Sequence, residues 1–265
     1  MTVALIAGEG ELPEEIARRM ALKGERPIIY TMREDIDSLF PHADDIIPVF
    51  RTDLASTLMD MTARNVRQIM FAGLVPKTLL FRPEMMDDMA RQLIASLETR
   101  DDHALLGGIV AFFEKSGFEV IGYTDILRDL LAVPGRIAGR EPSCEEMTDV
   151  EYGIDIAKVV VPLSFGQSIV VNDKSVVAVE AMEGTDAAVL RAGSLCRKGV
   201  LIKMMRKGQD SRFDIPVVGP RTLNLMRRAG LTCLAIQAGW TLVLSPEKFA
   251  AEAKEHDLSV VGIDY

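Results

Sequence analysis

The residues from 203 to 216 carry the densest chemistry in the chain. Lys203, Arg206, Lys207, Asp210, Arg212 and Asp214 alternate in sign through a stretch without helical periodicity. Lys and Arg can neutralise phosphate oxygens, and neighbouring carboxylates can hold a divalent cation that bridges to the same phosphates. A polar loop of about ten residues inside a compact domain is often functional, although a solvated charged loop is the plain alternative. Upstream, Glu183-Gly184-Thr185-Asp186 closes an apolar run. Thr185 fits a helix N-cap there and Asp186 a first helical turn, roles that helix stability alone favours. Glu183 does not cap in that scheme and interrupts the apolar pattern of residues 176–181. Gly8-Glu9-Gly10 follows another apolar run, where a glycine turn lets backbone approach a ligand and a helix N-terminus offers N–H groups to phosphate. Pro13 stands where the dinucleotide fingerprint needs a small residue, which leaves a bare tight turn or a mononucleotide site. Asp101-Asp102-His103 is too tightly spaced for three side chains to face one metal from a regular helix, whereas two could at a helix start.

No serine or cysteine nucleophile motif, metalloprotease helix or Walker loop is present. Cys144, Cys196 and Cys233 lack paired spacing, so neither a disulfide framework nor a zinc site is indicated, and the expected compartment is the reducing cytoplasm. His42 and His256 read as surface residues, Trp240 as core packing, and the clusters around Met59, Met61, Met85, Met86 and Met89 as core.

Positioning these groups requires a scaffold. Apolar runs at residues 3–7, 27–30, 46–49 and 69–73 alternate with helical spacing at Leu12, Ile16 and Met20, at residues 54–63 and at residues 93–113, the last interrupted by Asp101-Asp102-His103. Residues 119–123 return to strand character. Such alternation predicts parallel βαβ units, because parallel neighbours need a crossover connection. The fold class expected is α/β: an N-terminal Rossmann-like parallel domain over residues 1–133 and a C-terminal mixed α+β domain over residues 134–265. The breaker-rich stretch 133–143 is read as the linker. Beyond it, Ser143 with Glu146 predicts a capping box and a helix toward Val159. Asn172-Asp173-Lys174 predicts an antiparallel hairpin. A helix from about Thr185, a strand at 200–204, a helix opened by Gly219-Pro220, a strand near 233–236 and a helix opened by Ser245-Pro246 complete the expected order.

The chain has 265 residues, of which 48% are apolar, and a net charge of −9. That composition excludes disorder and gives no global basic field for nucleic acid, so no nucleic-acid partner is expected. No apolar run approaches the roughly 18 to 20 residues of a membrane span. A local basic cradle from Lys203 to Arg212 is still compatible with the acidic total.

Several motifs taken together resemble a family, the UDP-2,3-diacylglucosamine pyrophosphatases of alphaproteobacteria and many other Gram-negative bacteria. They are Leu5-Ile6-Ala7-Gly8-Glu9-Gly10-Glu11-Leu12-Pro13, Phe71-Ala72-Gly73, Asp102 with Ala104-Leu105-Leu106, the run from Phe112 to Phe118, Pro134-Gly135-Arg136, Gly166-Gln167, Val179-Glu180-Ala181 with Glu183-Gly184-Thr185-Asp186, Lys203, and Arg212-Phe213-Asp214-Ile215-Pro216 leading to Gly219. The resemblance covers essentially the whole length. It implies hydrolysis of UDP-2,3-diacylglucosamine to UMP and 2,3-diacylglucosamine 1-phosphate (lipid X) in lipid A biosynthesis. Water would attack the α-phosphorus with Mg²⁺ or another divalent cation such as Mn²⁺, and the lipid would lie between two domains.

Asp214 matches the aspartate the family needs for catalysis. Asp214, Asp186 and Asp210 become the expected metal ligands. Gly8, Gly10, Gly73, Gln167, Thr185, Lys203 and Arg212 become the expected substrate contacts, with Lys203 and Arg212 on the pyrophosphate. The resemblance also implies a homodimer, and the lipid substrate implies weak contact with the cytoplasmic face of the inner membrane. The chain departs from the family pattern at Glu9, at Asp101-Asp102-His103, at Leu74 in place of Asn and at Lys77 in place of Arg. Two rival functions remain: a non-catalytic nucleotide-sugar or lipid-binding protein, and a nucleotide-dependent oxidoreductase, which Pro13 disfavours.

Overall fold

The computed structural model describes residues 2–49, 53–75, 82–99, 101–206 and 208–264. The chain forms two compact units. One runs to Leu127 and includes Asp210–Asp214, while the other comprises Arg128–Gln209 and the chain from Ile215 onward. The first unit therefore takes in a short segment remote in sequence.

The first unit is built on β1 (Thr2–Ala7), β2 (Ile28–Thr31), β3 (Asp45–Pro48), β4 (Val66–Ala72) and β5 (Glu119–Val120), in the order β3-β2-β1-β4-β5 and parallel throughout. The helices are α1 (Leu12–Leu22), α2 (Leu54–Ala63), α3 (Asp88–Ala95) and α4 (Asp102–Lys115). This is the Rossmann-like order, with its switch point between β1 and β4. Ala4, Leu5, Ile29 and Ile69 are fully buried, as expected for strands covered on both faces. The helical spacing over residues 93–113 resolves into two helices, because Asp101 caps the second. Its carboxylate accepts the Ala104 N–H at 3.0 Å, and Asp53 and Asp87 cap α2 and α3 in the same way. Met61 and Met86 are core, whereas Met59 is 73% exposed.

In the second unit the elements are β6 (Gly135–Gly139), α5 (Cys144–Val160), β7 (Ser168–Asn172), β8 (Ser175–Val179), α6 (Gly184–Leu195), β9 (Val200–Lys203), β10 (Val217–Val218), α7 (Pro220–Ala229), β11 (Cys233–Gln237), β12 (Leu242–Val243), α8 (Pro246–Glu255) and β13 (Ser259–Ile263). A six-stranded sheet runs β6-β13-β11-β9-β7-β8, in which β9, β11 and β13 are parallel and β6, β7 and β8 add antiparallel edges. β10 and β12 form a separate parallel pair. The mixed α and β character expected of this half is what the structure has. The hairpin between β7 and β8 turns on Asp173 and Lys174, both at positive φ, and the Asp149 carboxylate accepts their two N–H groups at 2.9 and 2.7 Å. The capping box forms: Ser143 Oγ accepts the Glu146 N–H, and Glu146 accepts the Ser143 N–H.

Three expectations are corrected. The stretch read as a linker contains β6, an edge strand bounded by Gly135 and Gly139, both at positive φ. The breakers mark its ends rather than an absence of structure. The last strand, β13, follows the helix read as final, and its five residues are all buried. Trp240 is 47% exposed, on the turn between β11 and β12.

Candidate functional site

In the second unit, topology gathers separate residues at one end of the sheet. β9 ends at Lys203, and the antiparallel β7 begins beside it, with Ser168 opposite Lys203. β8 then runs back so that Val179 pairs with Ile169 and Glu180 follows at the same end. Gly184, at φ 80°, starts α6 and brings in Thr185. The side chains form a linked set. Lys203 Nζ donates to Val217 O at 3.1 Å and to Thr185 Oγ1 at 3.4 Å, and Thr185 donates to Glu180 Oε1 at 3.0 Å. The backbone N–H of Gln167 reaches Glu180 Oε2 at 3.3 Å, and Ser168 Oγ lies 3.4 Å from Thr185 Oγ1. Gly166 is required there, since a β-carbon on it would lie 2.3 Å from Glu180 O. Among the described residues Lys203 is paired with no carboxylate, so the positive charge of this half-buried ammonium is left for an anion.

Thr185 is therefore not a cap. Its hydroxyl is taken by Glu180, and the N-cap position falls to Glu183, which has no side-chain cap bond. Glu183 pairs instead with Arg191 at 2.6 Å, which holds its carboxyl below the usual range. Asp186, in the first turn of α6, takes the Arg221 guanidinium through Oδ2 at 2.7 and 3.0 Å.

The Asp210–Asp214 segment packs within the first unit. Arg212 donates from Nε and Nη2 to Asp210, from Nη1 to Glu114 at 2.8 Å, and again from Nη1 to Val120 O at 3.1 Å. Among the described residues, only one of its five N–H groups, on Nη2, is left over. Its hydrogen bonds to Asp210, then to Glu114, push its pKa further up. Arg212 also lies 5.5 Å from the centroid of the Phe213 ring, which meets Phe71 edge-on at 6.5 Å. Ser211 O accepts from the Thr124 hydroxyl at 3.0 Å. The half-buried Asp214 completes the turn, its N–H 3.3 Å from Asp210 O. Arg212 is thus chiefly a strap holding this turn, and Lys203 is the cation with open valence.

At the switch point of the first unit, the glycine turn is bonded to its neighbour. Gly8 N–H donates to Ala72 O, Glu9 N–H to Leu74 O, and Leu74 N–H to Glu9 O, all within 3.0 Å. A β-carbon on Gly8 would sit 2.5 Å from Leu74 O, and one on Gly73 2.7 Å from Glu9 O. These two glycines serve the close crossing of two backbones. Gly10 differs, with φ 96°, open space around it and its carbonyl accepting from Arg33. Glu14 and Glu15 occupy the first turn of α1, Glu15 already paired with Arg18 and Arg19, so carboxylates rather than a ligand complement that terminus. Beside the turn lies an almost wholly apolar cleft of about 170 Å³, lined by Val49, Leu54, Phe71, Leu74, Leu106 and Ile109 among others.

Of the acidic cluster, Asp101 is used as a cap and Asp102 and His103 open α4, their side chains lying outside the described residues. Lys77 and Lys207 also lie outside them. Among the described residues no three His, Cys, Asp or Glu side chains form a group that could hold a metal ion. Asp186 and Asp210 are each neutralised by an arginine. That arrangement fits Mg²⁺ shared with substrate phosphates, which needs only one or two protein carboxylates, better than a resident cage of three.

Comparison with known proteins decides the family. The LpxI N-terminal domain model matches residues 2–130 and the LpxI C-terminal domain model residues 133–261. The chain belongs to the LpxI family. A UDP-2,3-diacylglucosamine pyrophosphatase LpxI from Caulobacter vibrioides is 32% identical over 99% of this chain and 97% of its own length. The enzyme class expected from the sequence, a hydrolase acting on a diphosphate bond, is that of this LpxI relative. N5-carboxyaminoimidazole synthetase from Staphylococcus aureus aligns at 18% identity and a TM-score of 0.27, over 64% of this chain and 37% of the synthetase, which carries no argument. Sequence reasoning missed the partners that define the site: Glu180 under Thr185, Glu114 on Arg212 and Arg221 on Asp186. Each is a single charged residue far from its partner in sequence or hidden in an otherwise apolar run.

Proposed function

We propose that this LpxI chain hydrolyses UDP-2,3-diacylglucosamine in lipid A synthesis, with water attacking the α-phosphorus. The water oxygen bonds to that phosphorus, the bridging oxygen leaves with the β-phosphate, and UMP and 2,3-diacylglucosamine 1-phosphate result. The observation that carries this reading is Lys203, a half-buried ammonium with no carboxylate partner among the described residues, held by neutral oxygens at the end of β9. Such a group in a site of lowered dielectric attracts a phosphate oxygen strongly and stabilises charge that develops there. Thr185, bonded to Lys203, and Gln167, bonded to Glu180, belong to the same hydrogen-bonded set. Asp214 orients the attacking water, and the one N–H remaining on Arg212 is available to substrate.

Asp214 would hold Mg²⁺, or Mn²⁺ in its place, which would offset phosphate charge. Asp186 and Asp210, each also paired with an arginine, would be further ligands. An acyl chain of the substrate suits the apolar cleft of the first unit, where a nucleotide phosphate finds no available N–H on Gly8 or Glu9. We further propose weak association with the inner-membrane surface and a homodimer in the cytoplasm. Among the described residues no helix is long and apolar enough to cross a membrane.

Hydrolysis in ¹⁸O-labelled water with Mg²⁺ tests the chemistry. Label in UMP is expected. Label in the sugar phosphate would move the attack to the other phosphorus, and no UMP release would leave a binding protein.

A further inference from the structure

Glu180 accepts hydrogen bonds from both the Thr185 hydroxyl and the Gln167 N–H, and nothing in the reaction assigns it a part. We propose that Glu180 is a positioning residue that aims Lys203 through the Thr185 hydroxyl; this rests on the reading of Lys203 as the phosphate cation. A threonine hydroxyl has one hydrogen and two lone pairs. Glu180 Oε1, 3.0 Å away, takes the hydrogen, so the lone pairs turn to Lys203 Nζ and Ser168 Oγ, each 3.4 Å away. Lysine has three N–H donors. Two go to Thr185 Oγ1 and Val217 O, which leaves the third directed by that pair of acceptors.

Without Glu180 the Thr185 hydrogen is free to rotate toward the ammonium, and the acceptor that fixes Lys203 becomes a repelling dipole. The second carboxylate oxygen does a separate job. Glu180 Oε2 accepts the Gln167 N–H, and the Glu180 backbone N–H donates to Ser168 O at 2.9 Å, while Met204 N–H donates to Gln167 O at 3.0 Å. The loop entering β7 is thereby tied to both β8 and β9. Gly166 is the one residue type that fits over Glu180, which makes the contact between loop and glutamate close as well as hydrogen-bonded. Glu183, three residues on, has no such part: it is bonded outward to Arg191.

The test is a double-mutant cycle on kcat/KM for UDP-2,3-diacylglucosamine with thermal unfolding measured in parallel. Glu180→Ala and Lys203→Ala are each expected to lower kcat/KM by about 10- to 100-fold, the range for losing a hydrogen bond to a charged group. The double variant should be no slower than Lys203→Ala alone, because Glu180 acts only through that lysine. Thr185→Val should reproduce the loss, and Thr185→Ser, which restores the hydroxyl, should rescue most of it. The Thr185 pair decides the matter if Glu180→Ala fails to fold. Additive losses in the double variant, or an unimpaired Glu180→Ala beside a crippled Lys203→Ala, overturn the role of Glu180. Wild-type kcat/KM in Lys203→Ala overturns the phosphate reading of Lys203 itself.

Discussion

The two sheets end their parallel strands in opposite ways. At the first, where β1 and β4 diverge, backbone meets backbone: Gly8 donates to Ala72, Glu9 and Leu74 satisfy each other, and what remains beside them is an apolar cleft. At the second, where β9 meets the start of β7, the backbone is equally satisfied, but four polar side chains converge and leave one cation uncompensated. An open α/β sheet supplies a crevice at its strand ends whatever its sequence. The comparison teaches that the residues bordering the crevice, and whether their donors are already used, decide between an apolar and an anionic occupant.

Asp214 lies in the first unit yet carries the proposed chemistry. Asp214→Ala should lower turnover by about 10²- to 10⁴-fold, the usual worth of a group that handles a proton or its water, with an unchanged unfolding temperature. Near-normal kcat in the folded variant would remove Asp214 from the reaction. Next comes the glycine crossing. Gly8→Ala pushes a methyl group to 2.5 Å from Leu74 O and should destabilise the protein by about 1–3 kcal/mol through overpacking. Gly10→Ala meets open space and should affect stability less, through its positive φ alone. Denaturant titration of the two variants checks this, and equal losses would mean the crossing is not what requires Gly8. A smaller effect is expected in the cleft. Ile109→Glu should raise KM about tenfold for a substrate with full-length acyl chains, in line with the worth of one buried apolar side chain, and leave a short-chain analogue unaffected. Equal effects on both substrates would place the acyl chain elsewhere.

Much of the scaffold was legible because apolar periodicity is local. The run at residues 3–7, the capping box at Ser143 and the turn at Asp173 each announce themselves within a few residues. β13 was missed because Val260 and Val261 follow a helix already taken as the end, and β6 because its glycines read as breakers although they only bound it. Lys203 was identifiable as a cation at a strand end. Its hydrogen-bond setting was not, since that depends on Glu180, 23 positions upstream, meeting it through a third residue. Arg212 shows the converse. Its type and motif suggested a phosphate ligand, and only the arrival of Glu114 from α4 reveals a strap.

Electrostatics separates the two units once more, at a place remote from chemistry. Burial pushes the Glu146 carboxyl up, but hydrogen bonds from Arg140, Thr232 and the Ser143 N–H, with the Arg140 charge, outweigh it and hold the pKa at about 2, against an ordinary 4.5. A carboxyl with a depressed folded-state pKa binds its proton more readily in the unfolded chain. Its contribution is therefore complete above pH 4.5 and disappears as the pH falls toward 2. Because the group is only partly withdrawn from solvent, screening reduces that contribution to about 1 kcal/mol. Glu146 ties the start of α5 to Arg140, just past the end of β6, so the acid-labile increment belongs to the second unit. Unfolding temperatures of the wild type and Glu146→Gln measured from pH 7 to pH 2 should converge as the pH drops below 4.5. A gap that persists unchanged at pH 2 would show that packing of this side chain, and not its charge, supports the helix start.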